Sequence, residues 1–329
     1  MEAVETKFIE LKQRITREGL LEKRPFYYIY KSCVVFLLLA ISIGIAIVAH
    51  STWIRMLDAV FLAIAYTQIG LIAHDISHNQ VFHSPKRSRF FGILFWNFAL
   101  GTSFGLWNKK HNAHHANPNQ IDKDFDIDQP MIFTKTQYQR AHPILKTLYR
   151  YQQFYFFPML LLVYFSVVIN GIQFFIRDTK ERGYIPLAEV LAFALHHAIF
   201  LTAVFFGFGF WQGLLFTMIH HLTAGFIFGI VAVTNHNGMP IFEKEIPSIF
   251  LQQIITSRNL RSNLLVNFWY GGLDYQIEHH LFPTMPRKNL KKTQVFVKQF
   301  CATNNIPYHE TGVIQSYVEI LKGLKPMQV

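Results

Sequence analysis

Gly272-Leu273-Asp274-Tyr275-Gln276-Ile277-Glu278-His279-His280-Leu281-Phe282-Pro283 is the stretch on which the reading of this chain turns. Its paired histidines have two companions upstream, His74-Asp75-Ile76-Ser77-His78 and His111-Asn112-Ala113-His114-His115. Imidazole is the commonest protein ligand for transition metals. Four residues turn an α-helix about once, so His74 and His78 share a face, as do His111, His114 and His115. A single histidine is ordinarily a hydrogen-bonded interior or surface residue. Three such clusters at helical spacing point instead to one metal centre.

Around the clusters the 329 residues are 51% hydrophobic and 16% aromatic, with a formal charge of +11. That apolar excess marks an integral membrane protein rather than a soluble enzyme. Most Lys and Arg lie just outside apolar runs, where they set topology and meet anionic headgroups, so nucleic acid is not the expected partner. Cys33 and Cys301 are too few for a disulfide framework, and no CxxC spacing exists for zinc. No linker, low-complexity block or repeat divides the chain. The expectation is a single domain over 1–329, with 1–31 a cytoplasmic N-terminal segment and 239–329 a cytoplasmic cap segment carrying the third cluster.

The basic N-terminal segment has no signal-peptide core and reads as an interfacial or soluble helix. Residues 33–49 and 56–73 are apolar and form a first transmembrane hairpin that returns the chain to the cytoplasmic face at His74. Residues 90–106 carry Lys86, Arg87 and Arg89 before them and Lys109 and Lys110 after them, with Asn97, Gly101 and Gly105 inside. Basic residues at both ends argue against crossing, so this piece reads as interfacial or re-entrant. Residues 154–176, with Pro158 and Asn170-Gly171, read the same way. Residues 186–208 and 210–234 make a second hairpin with Gly207-Phe208-Gly209 as its outer turn. The expected architecture is an all-α integral membrane protein with four transmembrane helices, interfacial helices and a cytoplasmic cap.

Two features lie beside this frame. The acidic loop after His115 does not fit a calcium loop: with Asp122 or Asp124 first, the sixth position is Ile127 or Gln129 instead of Gly, and no bidentate Glu follows. It reads as a polar cytoplasmic loop. His196-His197 and His220-His221 each lie about twelve residues from the outer turn, hence at one depth in the membrane at about 1.5 Å per residue. They are expected to form an interhelical hydrogen-bonded pair, the alternatives being a second metal site or a polar channel lining.

The pattern HxxxH, HxxHH and QxxHH, the last inside Gly-Gly-Leu-Asp-Tyr-Gln-Ile-Glu-His-His-Leu-Phe-Pro, resembles the membrane fatty acid desaturases. The Gln points to their front-end group, and the likeness runs from about residue 24 to about residue 323. Asp274 departs from it, since that group commonly has Asn there. No His-Pro-Gly-Gly haem motif of a fused cytochrome b5 domain occurs. The resemblance implies two non-haem iron ions held by His74, His78, His111, His114, His115, Gln276, His279 and His280, with His236 as one further ligand. Gln276 would ligate through its carbonyl oxygen or hydrogen-bond a ligating water. Glu278 would orient an imidazole or stand as a surface charge.

Insertion of a cis double bond into an acyl-CoA or acyl-lipid chain is the implied reaction, between the carboxyl end and an existing unsaturation. Oxidising the chain while reducing O2 needs two further electrons, and this sequence holds no haem, iron-sulfur, flavin or nicotinamide fingerprint to supply them. A cytochrome b5 or ferredoxin with its reductase is therefore the expected partner. Arg258, Arg261, Arg287, Lys288, Lys291 and Lys292 either dock that donor or meet lipid headgroups. The implied location is a bacterial inner membrane or the endoplasmic reticulum, with the active site on the cytoplasmic side. The alternatives are a di-iron lipid hydroxylase or ketolase and, in a different class, a histidine-rich metal sensor or transporter.

Overall fold

The computed structural model of the chain describes residues 2–127, 131–182, 186–246 and 248–324; Asp128 and Gln129 of the acidic loop lie outside them. Helices α1 (Glu2–Arg17), α2 (Pro25–Val48), α3 (Thr52–Ser77), α4 (Pro85–Gly92) and α5 (Phe104–Ala116) lead through the first two clusters, with a π-helical segment, Ile93–Ala99, between α4 and α5. Next come α6 (Lys135–Arg140), α7 (Pro143–Tyr149), α8 (Gln152–Leu160), α9 (Val163–Arg182), α10 (Leu187–Phe208) and α11 (Phe210–Val233). The last part contains α12 (Ile249–Ile255), α13 (Leu264–Tyr270), α14 (Gln276–Leu281), α15 (Arg287–Thr303) and α16 (Val313–Gly323). Strands β1 (Asn259–Leu260) and β2 (Glu310–Thr311) pair in parallel.

Four helices, α2, α3, α10 and α11, are long and apolar enough to cross a membrane. The two pieces read as interfacial or re-entrant are sharply bent, by 114° between Pro85–Ala99 and Phe104–Ala116 and by 71° between Gln152–Leu160 and Val163–Arg177. Counting each bent pair as one span would raise the number to six. The described chain packs as two compact units, a span unit made of Arg24–Asn108 with Met159–Ile230 and a box unit made of the remainder.

In the span unit α3 is the enclosed helix: 78% of its apolar window is buried, against 11% for α2. Small residues make this possible. Ala59, Ala63, Ala65 and Ala73 are fully buried, and a Cβ on Gly70 would lie 2.4 Å from the ring of Phe228. Around them Ile69, Ile72, Phe95, Trp96, Leu100 and Phe216 form one apolar cluster. On α2, by contrast, Phe36, Leu37, Ile43 and Ile47 face outward, as lipid-facing side chains do.

Irregular backbone at membrane depth requires side chains to satisfy what the helix no longer does. The stretch from the π-helical segment to the start of α5 turns through Gly101 at φ +65°, where a Cβ would meet the His196 ring at 2.2 Å. His196 Nδ1 donates to the carbonyl of Phe98 at 2.8 Å, His197 Nε2 to that of Gly101 at 3.1 Å, and the Tyr164 hydroxyl to that of Leu100 at 2.7 Å. The amide of Phe104 donates to the Asn97 side chain at 3.2 Å, and that of Gly105 to the Glu189 carboxylate at 3.0 Å. The expected histidine pair between α10 and α11 is thus replaced by a different arrangement. His196 and His197 serve freed carbonyls, while His220 Nδ1 reaches the carbonyl of Ala59 at 3.4 Å and its ring packs edge-on to Tyr66. A freed carbonyl is costly to leave without a donor, and the broken segment brings two of them within reach of His196 and His197.

In the box unit α1, read from the sequence as an interfacial or soluble helix, packs into a core. Its Phe8, Leu11 and Ile15 recur at helical spacing and pack with Phe250, Ile254, Ile277, Leu290 and Val297. Phe8 stacks on Phe250 with ring centroids 4.8 Å apart.

Candidate metal centre

Each unit carries part of the predicted ligand set. In the span unit His74 lies in the last turn of α3 and His78 caps it, their ring centroids 4.7 Å apart. Trp107 packs edge-on to both rings and stacks on Trp96, whose indole N–H donates to Ser77 Oγ at 2.9 Å. This apolar aromatic backing fixes the ring positions.

The box unit brings the other seven residues together from three elements. On α5, His111 and His115 are one turn apart with their Nε2 atoms separated by 3.1 Å, and His279 of α14 joins them with its ligand atom within 4.8 Å. His114, on the neighbouring face of α5, points instead at His236, just beyond α11, and at His280 of α14. His236 Nε2 lies 3.3 Å from His114 Nε2 and 2.9 Å from His280 Nε2, and all three rings are buried. Gln276 Nε2 lies 2.9 Å from the same His236 nitrogen.

The opposite nitrogens decide the protonation of this second group. His114 Nδ1 faces the Asp124 carboxylate at 2.9 Å, and His236 Nδ1 faces the Thr256 carbonyl at 3.0 Å. Both partners only accept, so each Nδ1 carries the proton. His280 Nδ1 donates to Gln253 Oε1 at 2.7 Å, and the orientation of that amide is fixed because its Nε2 donates to the carbonyl of His115 at 2.9 Å. With Nδ1 protonated, Nε2 is the ligand position of a neutral imidazole, and three such atoms converge in this buried space. Such an array is unfavourable without a cation, and neutral nitrogen donors of this kind suit divalent iron, so the residues present fit the metal that the sequence pattern implies.

Three anchoring residues were not legible as such. Asp124, expected in a polar loop, is fully buried and holds amide hydrogens from Asn119 at 2.8 Å and Asp126 at 2.9 Å. Burial opposes its ionisation, yet His114 and those amides outweigh it and hold the carboxyl below the usual carboxylate range. Gln253 and Thr256 come from α12 and its C-terminal cap. The expected outcome of Asp124→Asn, which keeps the shape and removes the charge behind His114, is metal affinity weakened about 10–100-fold, measured by chelator competition. Unchanged affinity would deny Asp124 this role.

Glu278, readable as an imidazole partner or a surface charge, is neither. It is fully buried, accepting from Asn259 Nδ2 at 2.7 Å and the Tyr308 hydroxyl at 2.8 Å, and burial pushes its carboxyl up to about 7. It ties α14 to β1 and to the chain leading into β2. Arg258 is also corrected: its side chain is buried, pairs with Glu319 and donates to the carbonyls of Thr234 and Asn237. Arg287 is buried as well, whereas Arg261, Lys288, Lys291 and Lys292 are exposed.

Residues 51–312 match the fatty acid desaturase family. The chain is 31% identical to the acyl-lipid (9-3)-desaturase of Physcomitrium patens, over 97% of this chain and 62% of that protein. It is 30% identical to the delta(8)-fatty-acid desaturase of Euglena gracilis, over 96% of this chain and 77% of that one. With the delta(5) fatty acid desaturase fat-4 of Caenorhabditis elegans it shares 31% identity over 92% and 69% respectively. The chain therefore belongs to the fatty acid desaturase family, a class of oxidoreductases, and the front-end resemblance read from Gln276 is borne out by these relatives.

Proposed function

We propose that the protein is a membrane fatty acyl desaturase that uses O2 and two electrons from an external carrier to insert a cis double bond, on the carboxyl side of an existing one, into acyl-CoA or acyl-lipid. The observation that carries this reading is the convergence of the Nε2 atoms of His114, His236 and His280 in a buried, histidine-rich site. In this proposal the ligands of the two irons are His74, His78, His111, His114, His115, His236, Gln276, His279 and His280, with His114, His236, His280 and Gln276 around one of them. The irons supply oxygen activation. The chain's own groups fix the ligands: Asp124, Thr256 and Gln253 keep each Nδ1 protonated, and Trp107 and Trp96 back the first box with apolar surface that limits leakage of the oxidant.

Electrons enter in this scheme from a cytochrome b5 or ferredoxin with its reductase. The exposed charges Arg261, Lys288, Lys291 and Lys292 suit an acidic donor; the buried Arg258 and Arg287 take no part. In vesicles with acyl substrate and O2, product should form only after donor and reductase are added, and more slowly in Lys291→Glu/Lys292→Glu. Mass spectrometry of the product tests the chemistry: a new double bond supports the proposal, and an oxygenated chain would favour a hydroxylase.

For topology we propose two hairpins, α2 with α3 and α10 with α11, the bent segments not crossing and all three boxes cytoplasmic. The Lys and Arg distribution supports this. Impermeant thiol reagent should reach a cysteine placed at Phe208 from outside and spare one at Thr136; labelling of Thr136→Cys from outside would overturn the four-span arrangement.

A further inference from the structure

Gln276 faces the His114, His236 and His280 group with the wrong end of its amide for a metal ligand. Its Nε2 points at His236 Nε2, while its Oε1 accepts from Asn235 Nδ2 at 3.1 Å. Without a cation this orientation is the favourable one, because an unprotonated His236 Nε2 accepts the hydrogen that Gln276 offers. A divalent cation at the focus of the three nitrogens reverses that preference. The positive end of an amide dipole would then face the ion, and the negative end would be turned away from it.

The neighbouring residue makes reversal inexpensive. Asn235 is 1% exposed, and its Oδ1 has no hydrogen-bond partner among the described residues. If Asn235 and Gln276 both turn their amides over, Gln276 Nε2 donates to Asn235 Oδ1 and Gln276 Oε1 faces the ion. One Asn235 atom lacks a partner in either arrangement, so the Asn235–Gln276 hydrogen bond does not choose between them. The cation does. Asn235 also has a fixed backbone for the purpose, since its carbonyl accepts the Arg258 amide at 2.9 Å.

We propose that Asn235 is a positioning residue that turns over together with Gln276 and so presents the Gln276 carbonyl oxygen to a cation held by His114, His236 and His280. The inference rests on the metal-centre reading given above. It assigns Gln276 direct ligation through oxygen, and it gives the residue before His236 a role that no box pattern contains.

The test uses the purified full chain, stripped of metal and titrated with Co2+, whose ligand-field bands report the donor set. His236→Ala should abolish one class of Co2+ binding. Asn235→Leu should weaken that same class about 10–100-fold, the range typical of residues that orient ligands, and shift its bands as Gln276→Ala does. In the double variant the second substitution should add nothing, because both remove one oriented oxygen. Asn235→Asp, which only accepts and so enforces the proposed orientation, should retain tight binding and the wild-type bands. If Asn235→Leu does not fold, Asn235→Ala carries the same comparison.

Wild-type affinity and bands in Asn235→Leu or Asn235→Ala, beside a loss in Gln276→Ala, would overturn the proposal. So would additive losses in the double variant. An unchanged titration in His236→Ala would overturn the metal-centre reading itself, and the proposal with it.

Discussion

His280→Ala is expected to lose one of about two bound metal ions and to bring turnover below about 1% of wild type, more than the 10–100-fold typical of ligand-orienting residues. The size follows from its contacts. His280 Nε2 is 2.9 Å from His236 Nε2, its ring stacks on His115 at 4.2 Å, and its Nδ1 holds Gln253, which in turn holds the His115 carbonyl. One side chain therefore touches both ligand groups of the box unit. Removing one of three converging nitrogens relieves repulsion when no metal is bound, but it also leaves a cavity and takes the donor from Gln253 Oε1, so the metal-loaded forms should differ in melting temperature from wild type more than the apo forms do. Metal analysis, product assay and thermal unfolding with and without chelator measure the three effects. Full turnover by a variant depleted of that metal would rule out the di-iron reading.

Arg258→Leu carries the second large effect, this time on the fold. The guanidinium is buried, pairs with Glu319 on α16 and donates to Thr234 and Asn237, on either side of Asn235 and His236. Removing the guanidinium takes a charged donor from the carbonyls of Thr234 and Asn237, at a cost of about 1.5–3 kcal/mol for each carbonyl. The loss should show as a lowered melting temperature and as faster hydrogen exchange in residues 234–238. Glu319→Gln, which retains an acceptor and removes the charge from the more exposed partner, should cost less. Equal melting of Arg258→Leu and wild type would show that other contacts hold the loop.

Much of the architecture was legible because apolar runs of this length have few alternatives. The four helices expected to cross appear, and the two segments set apart by flanking charge and by Gly, Asn or Pro are the two that bend. The ligand candidates were legible because histidines repeat at the helical period. Their anchors were not. Asp124 is ten residues beyond His114, and Gln253 is 27 before His280, so neither spacing repeats a helical turn. Asp124 sits in an acidic run whose other carboxylates hide its use as a ring partner. Arg258 reads in sequence like any charge beside Arg261, and only packing distinguishes them. His196 and His197 share their depth not only with α11 but with the carbonyls of the broken segment, which are the acceptors they use and which no helical spacing announces.

That broken segment has a consequence for biosynthesis. The acceptors at Phe98 and Gly101 are made 98 and 96 residues before the histidines that satisfy them. At about 5–20 residues per second, this delay is on the order of 5–20 s. During it, the carbonyls of Phe98 and Gly101 lack the donors they end with, and in hydrocarbon water or a chaperone would have to satisfy them until α10 emerges. Final seating of the turn that starts α5, and with it the helix carrying His111, His114 and His115, is thereby placed late in synthesis, after α10 has entered the bilayer.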